Sequence, residues 1–165
     1  MGRRVFFSFH YKPDSSRASQ VRNMGALDGN QSVSDNDWEA VTKGGDAAIK
    51  TWIDTQLTGR SCVVVLIGSA TAGRKWISYE ISTGWNQGKG VVGIYIHHLK
   101  NLQQQQSRKG PNPLDYVTMT RNNAKMSTIA KAYDPPYTSS TDVYKYINNN
   151  IGDWVERAIT IRKNY

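Results

Sequence analysis

Cysteine is almost missing from this chain: Cys62 is the only one in 165 residues. A single thiol excludes an internal disulfide and any cysteine-rich zinc site. Cys62 opens the apolar run Cys62–Ile67, which makes it read as a small buried hydrophobe. Long apolar runs are missing too. The longest are strand-sized and too short to span a bilayer, so no membrane partner is expected. The first residues, Met1-Gly2-Arg3-Arg4, lead directly into an apolar strand instead of a signal-peptide core. Phe6 stands where a myristoylation signal needs Ser or Thr. A cytoplasmic location is the expectation, under which the Asn30-Gln31-Ser32 sequon carries no weight.

Acidic residues are in short supply as well. Thirteen Asp and Glu against 21 Lys and Arg leave a net charge of +8. Such an excess suits a polyanionic partner. It is dispersed in pairs, however: Arg3-Arg4, Arg74-Lys75, Arg108-Lys109 and Arg162-Lys163. Without a basic block interleaved with aromatics, nucleic acid is not expected, and a phosphate-rich small molecule accounts for the charge equally well. No Gly-x-Gly-x-x-Gly follows the first strand, which argues against a Rossmann dehydrogenase. A phospho-receiver would need clustered acids at the ends of the first and third strands, where this chain has His10 and Gly68-Ser69. A Ser-His-Asp nucleophile elbow is also missing. His97-His98 with Asp115 invites a metal reading, but neighbouring residues at a strand end should point apart, so no metal site is assigned.

What is present is ordinary globular material, 38% hydrophobic and 21% charged, in a chain sized for one domain spanning residues 1–165. Residues 4–9 read as an aromatic-rich strand, and Lys12-Pro13-Asp14 as a break before a helix capped by Ser15 or Ser16. A short strand is placed near Ser32 and Val33. Residues 46–57 give a helical stripe of Ala47, Ile49, Trp52, Ile53 and Leu57. Cys62–Ile67 is a continuous apolar run suited to a strand covered on both faces. Residues 74–87 form the next helix, residues 91–96 another buried strand, and the glutamine-rich stretch 101–106 a loop. Residues 118–132 give no firm pattern. From about residue 138 the chain turns helical again, in two stretches that pack on the same domain. The alternation predicts a three-layer α/β fold with a central parallel sheet flanked by helices. Ligands gather at the carboxyl ends of such strands. The stretches 8–11, 69–76 and 97–116 should therefore be neighbours.

One helix carries the most suggestive chemistry. Glu80 lies four residues after Trp76, so an indole and a carboxylate share one helix edge. The positions three and four residues away hold Trp76, Ile77, Thr83 and Gly84, none of them a cation. An acid without a helical partner beside a large aromatic suits a site that handles developing positive charge; the plainer alternative is a solvated glutamate. Ser69 ends the preceding strand, facing a ligand or capping a turn. Lys43-Gly44-Gly45-Asp46 reads as a turn with an Asp cap, or as a source of backbone N–H groups for phosphate.

The stretch Val5-Phe6-Phe7-Ser8-Phe9-His10-Tyr11 resembles the first-strand box of TIR domains. Leu66-Ile67-Gly68-Ser69, followed by Trp76 and Glu80, resembles their strand-then-helix box. The order Phe6 to Tyr11, Trp76 to Ile81 and Lys109 to Pro113 is similar to that in TIR-like proteins of the Thoeris bacterial anti-phage system. Ile77 departs from the Cys that many TIR domains place after the Trp. The resemblance implies a flavodoxin-like TIR fold and cleavage of the nicotinamide–ribose bond of NAD, which serves as substrate with no separate cofactor. It further implies a cyclic ADP-ribose-type product that activates a separate effector protein, and self-association into a homo-oligomer. Glu80 would be the catalytic carboxylate. Ser8, Phe9, His10, Tyr11, Ser69 and Trp76 would surround the substrate. A non-catalytic assembly module or a nucleotide sensor is the alternative that the same resemblance allows.

Overall fold

The computed structural model describes residues 2–29 and 40–165. Its centre is β3 (Cys62–Ile67), six apolar residues buried on both faces. A strand can be apolar throughout only if both faces are covered, and here they are. β1 (Arg4–Phe9) and β4 (Gly90–Tyr95) flank it, and the short β2 (Asp28–Gly29) and β5 (Ala132–Tyr133) form the edges. All pairings are parallel, in the order β2-β1-β3-β4-β5. That is the flavodoxin-like order, whose switch point lies between β1 and β3. The register sets Ser8 beside Val65 and Phe9 beside Leu66.

Period-two alternation divides β1 between two cores. Phe7 joins Val64, Leu66 and Ile94 under α1 (Tyr11–Arg22) and α4 (Ser140–Lys163), with Phe9 packed at the margin. Phe6 joins Val63, Val65 and Ile67 under α2 (Gly45–Leu57) and α3 (Lys75–Asn86). Each fully buried Val, Leu or Ile in these layers contributes roughly 1.5–3 kcal/mol. The expected three-layer α/β architecture is therefore the observed one. No helix among the described residues is long and apolar enough to cross a membrane.

Several boundaries differ from the sequence expectation. α1 starts at Tyr11, with His10 as its N-cap, so Pro13 and Asp14 lie in the first turn. Proline fits there because first-turn N–H groups have no helical acceptor to lose. Asp46 is not the cap of α2. Gly44 holds that place, and Asp46 pairs with Lys75 instead. The two C-terminal helical stretches are one helix, α4, capped by the Ser139 side chain. Residues 118–132 have no regular period because they form a Thr118–Lys125 bridge, a short 3-10 turn (Met126–Thr128) and edge strand β5. The strand expected near Ser32 and Val33 lies outside the described residues.

Gly90 shows how closely α4 approaches the sheet. A Cβ there would stand 2.8 Å from the Ala158 carbonyl carbon and from the Ile159 nitrogen. Both are backbone atoms of a long helix and cannot swing away. Gly90→Ala should therefore cost about 1–3 kcal/mol through overpacking. The check is urea denaturation, where an unchanged midpoint would show that α4 does not press on β4 as described.

Candidate active site at the carboxyl ends of β1 and β3

Ser8 belongs to the face of β1 that α3 covers, and Glu80 lies on the buried side of α3. The two side chains meet there. Ser8 Oγ donates to Glu80 Oε1 at 2.6 Å, with Ser8 1% and Glu80 8% exposed. Among the described residues Glu80 takes part in no ion pair. Removal from water therefore pushes its carboxyl up to about 8, with the Ser8 hydrogen bond pulling the other way. Near neutral pH the protonated form of this carboxyl predominates.

His10, as the N-cap of α1, is half-buried, and its Nδ1 is buried with no hydrogen-bond partner. Burial and then the charge of Arg74, the N-cap residue of α3, lower its pKa and keep the ring neutral. Trp76 is half-buried at the start of α3, edge-on to Tyr79 at 5.7 Å, with the Lys75 ammonium 4.8 Å from its ring centre. Ser69 follows β3, half-buried, and its carbonyl lies under the 107–110 loop. A Cβ on Gly110 would be 2.4 Å from the Gly68 oxygen and 2.6 Å from that of Ser69. Phe9 and Tyr11 lie elsewhere. Their rings stack at 6.2 Å on the α1 side, across the sheet from Glu80. The structure thus joins Ser8 to Glu80 and brings His10 towards the start of α3, but turns Phe9 and Tyr11 to the opposite face.

The loops expected to be neighbours are neighbours, Gly110 lying against Ser69 and Gly73 against the Tyr116 ring, and a buried ion pair fastens α1 to this edge. Asp14 is 1% and Arg17 3% exposed. Arg17 Nη1 donates to Asp14 Oδ1 at 2.9 Å, and its other nitrogens reach the carbonyls of Leu99 at 2.7 Å and Gln105 at 2.8 Å. Asp14 Oδ2 lies against Gly68, where an added Cβ would come within 2.0 Å of it. Gly68 N–H donates to Thr71 Oγ1 at 2.8 Å. The ion pair therefore ties α1, the end of β3 and the loop after β4 together. An Asp and an Arg three residues apart on one helix face was the available signal; reading Lys12-Pro13-Asp14 as a break concealed it.

His97 and His98 do not point apart as expected. Their rings are 4.1 Å apart, His97 packing edge-on to Tyr95 and His98 Nδ1 meeting the Tyr137 carbonyl. The chain leaves the strand after Tyr95, so strict alternation no longer applies. Asp115 accepts from Ser127 and joins neither histidine. Cys62 is fully buried, and burial pushes its thiol pKa up.

A flavodoxin-like parallel sheet with a buried glutamate on the helix after β3, facing a serine of β1, defines a TIR-like α/β domain. A family model described as Thoeris protein ThsB, TIR-like domain, matches residues 6–101, and the chain belongs to that family. It is also similar to a Bacillus cereus (strain MSX-D12) protein named "Putative cyclic ADP-D-ribose synthase ThsB1". The two are 39% identical over 122 residues, which cover 71% of this chain and 64% of that protein.

Two predictions follow from the charges. Removing one partner of a buried ion pair strands the other, at a cost of about 3–5 kcal/mol. Asp14→Ala or Arg17→Ala should each destabilise by that amount, whereas Asp14→Leu with Arg17→Met should be much milder. Equal losses in single and double variants, by denaturant titration, would contradict the assignment. Glu80 has a folded pKa raised from 4.5 to about 8, so its contribution to stability is full below pH 4.5 and is lost as pH rises to about 8. Wild-type stability should decline across that window by up to about 1.4 kcal/mol per pH unit relative to Glu80→Gln. Parallel stability–pH curves for the two proteins would count against a buried, raised Glu80.

Proposed function

We propose that this protein is a TIR-type enzyme that cleaves the nicotinamide–ribose bond of cytoplasmic NAD and makes a cyclic ADP-ribose-like signal in anti-phage defence. The observation that carries the reading is the buried Ser8–Glu80 hydrogen bond at the β1/β3 switch point. Family membership and the printed name of the Bacillus cereus relative support it.

The chemistry asks little of the protein in protons. When the C1′–N bond breaks, its electron pair returns to the pyridinium nitrogen, and nicotinamide leaves neutral. No general acid is needed, so the two-carboxylate arrangement of most glycosidases is unnecessary. What remains is an oxocarbenium-like ribose, which a single ionised carboxylate can stabilise. Glu80 supplies it from a site screened from water, where an electrostatic contact is worth most. Ser8 holds the carboxylate in place by its hydrogen bond, and the neutral His10 ring, with Nδ1 unpartnered, is available to a ribose hydroxyl. Trp76 and Ser69 would border the nicotinamide side. Capture of the cation by water, with loss of one of the water's protons, gives ADP-ribose. Capture by a nucleophile within the same molecule gives the cyclic product, with loss of that nucleophile's proton. A closed site favours the second route because water is kept out. NAD serves as substrate, with no resident cofactor. Self-association and a separate effector that responds to the product belong to the same reading.

A raised carboxyl also explains how a cationic substrate is chosen. The positive nicotinamide ring stabilises the ionised form of Glu80, so binding and ionisation help each other. Glu80→Gln should lower nicotinamide release from NAD by at least about 10²-fold, resolved by chromatography. In the wild type, kcat/KM should rise with pH through a limb near 8, the value for the free enzyme, while the limb in kcat should lie lower. Release that survives in Glu80→Gln would sink the proposal.

A further inference from the structure

A cavity lies on the opposite side of the sheet from Glu80. It holds about 1050 Å³ between the outer face of α1, the loop at residues 100–106 and the first turn of α4. Tyr11, Ser15 and Ser19, four residues apart, run along its α1 wall, and Lys100, Gln106 and Ser140 stand on the other. Its size is at the upper limit of ordinary small-molecule sites.

The wall chemistry is selective. Ser and Thr hydroxyls and Asn and Gln amides dominate, joined by Lys100 and Arg22, and no carboxylate is among the described lining residues. In a chain with 13 acids, a wall without them favours an anion. Hydroxyls and amides offer both donors and acceptors to sugar hydroxyls, and charged donors bind phosphate oxygens most strongly. At one end, the Phe9 and Tyr11 rings, inclined by 29°, give an aromatic surface of the kind on which bases stack.

The wall is also held in shape. A polar loop with exposed glutamines would ordinarily stay loose, because ordering it costs conformational entropy. Here Arg17 grips the Leu99 and Gln105 carbonyls from below. Asn101 Oδ1 accepts from the N–H groups of Gln103 at 3.0 Å and Gln105 at 2.9 Å. Gln106 Nε2 reaches the His98 carbonyl at 2.8 Å, and Lys100 N–H donates to Ser140 Oγ at 2.9 Å. A buried guanidinium spent on ordering an exposed loop makes sense where the loop's shape is used. A pre-formed wall also lowers the entropy lost on binding.

We propose that this cavity is a second binding site, for a nucleoside phosphate, separate from the Ser8–Glu80 site. Lys100 and the hydroxyls at the start of α4 hold phosphate, the α1 serines meet the ribose, and Tyr11 takes the base. The proposal concerns binding alone and does not require turnover.

The test is titration of ADP-ribose into the full chain, followed by calorimetry and by amide chemical shifts. Saturable shifts are expected at Ser15, Ser19, Lys100 and Ser140. Lys100→Glu and Ser19→Asp, which place acids at positions open enough to fold, should each weaken that binding at least about tenfold. Lys100→Arg should retain it, and Ser8→Ala, which alters only the Glu80 side, should leave it unchanged. Absence of saturable shifts at these amides, or binding lost in Ser8→Ala and kept in Lys100→Glu, would overturn the proposal. Inorganic pyrophosphate binding as tightly as ADP-ribose would reduce the cavity to a plain anion site and overturn its nucleoside part.

Discussion

A carboxyl group buried beside one hydroxyl and no cation is difficult to ionise, and the chain spends much of its architecture on holding Glu80 in that state. The hydrogen bond from Ser8 needs β1 and α3 in fixed register, since 2.6 Å leaves no slack. That register comes from β3, whose apolar residues pair with β1 on one side and pack against Ile77 and Ile81 of α3 on its face. Buried apolar area sets the position, and the position sets the protonation. A solvated glutamate at the same sequence place would be ionised throughout the neutral range.

The second polar element solves a different problem. Loops at the carboxyl edge of a parallel sheet have few strand contacts to hold them. In this chain Arg17 takes the place of missing backbone partners, accepting the desolvation of a guanidinium in return for three carbonyl contacts and Asp14. Such a pair adds little net stability compared with apolar packing of the same volume. Its value lies in geometry, because it sets Gly68, the Leu99–Gln105 segment and α1 at fixed separations.

The fold was legible in the sequence where burial alone determines structure. Cys62–Ile67 could hardly be anything but a central strand, and Ile49, Ile53 and Leu57 of the stripe in residues 46–57 are buried on α2. Glu80 was legible for a negative reason, the lack of any cation at helical spacing, and its burial agrees with that. What escaped was non-local or depended on end effects. Pro13 looked like a break because a proline signal does not distinguish a turn from the first turn of a helix. The burial of Asp14 and Arg17 escaped because nothing local says that the Leu99 and Gln105 carbonyls lie above them. The His97–His98 geometry failed for a similar reason: the strand ended one residue earlier than expected.

Alternation along β1 explains why seven consecutive residues in a recognisable box need not serve one pocket. A strand shows successive side chains to opposite faces. Ser8 therefore serves the Glu80 face and Phe9 the α1 face, and the turn at His10 and Tyr11 connects the two. Grouping them all around one substrate treats the strand as if it had a single side. Once the two faces are separated, the Phe9 and Tyr11 rings fall on the α1 side, away from Glu80. They border a polar cavity with rigid walls and no acid, which a core-packing role for Phe9 alone would not require.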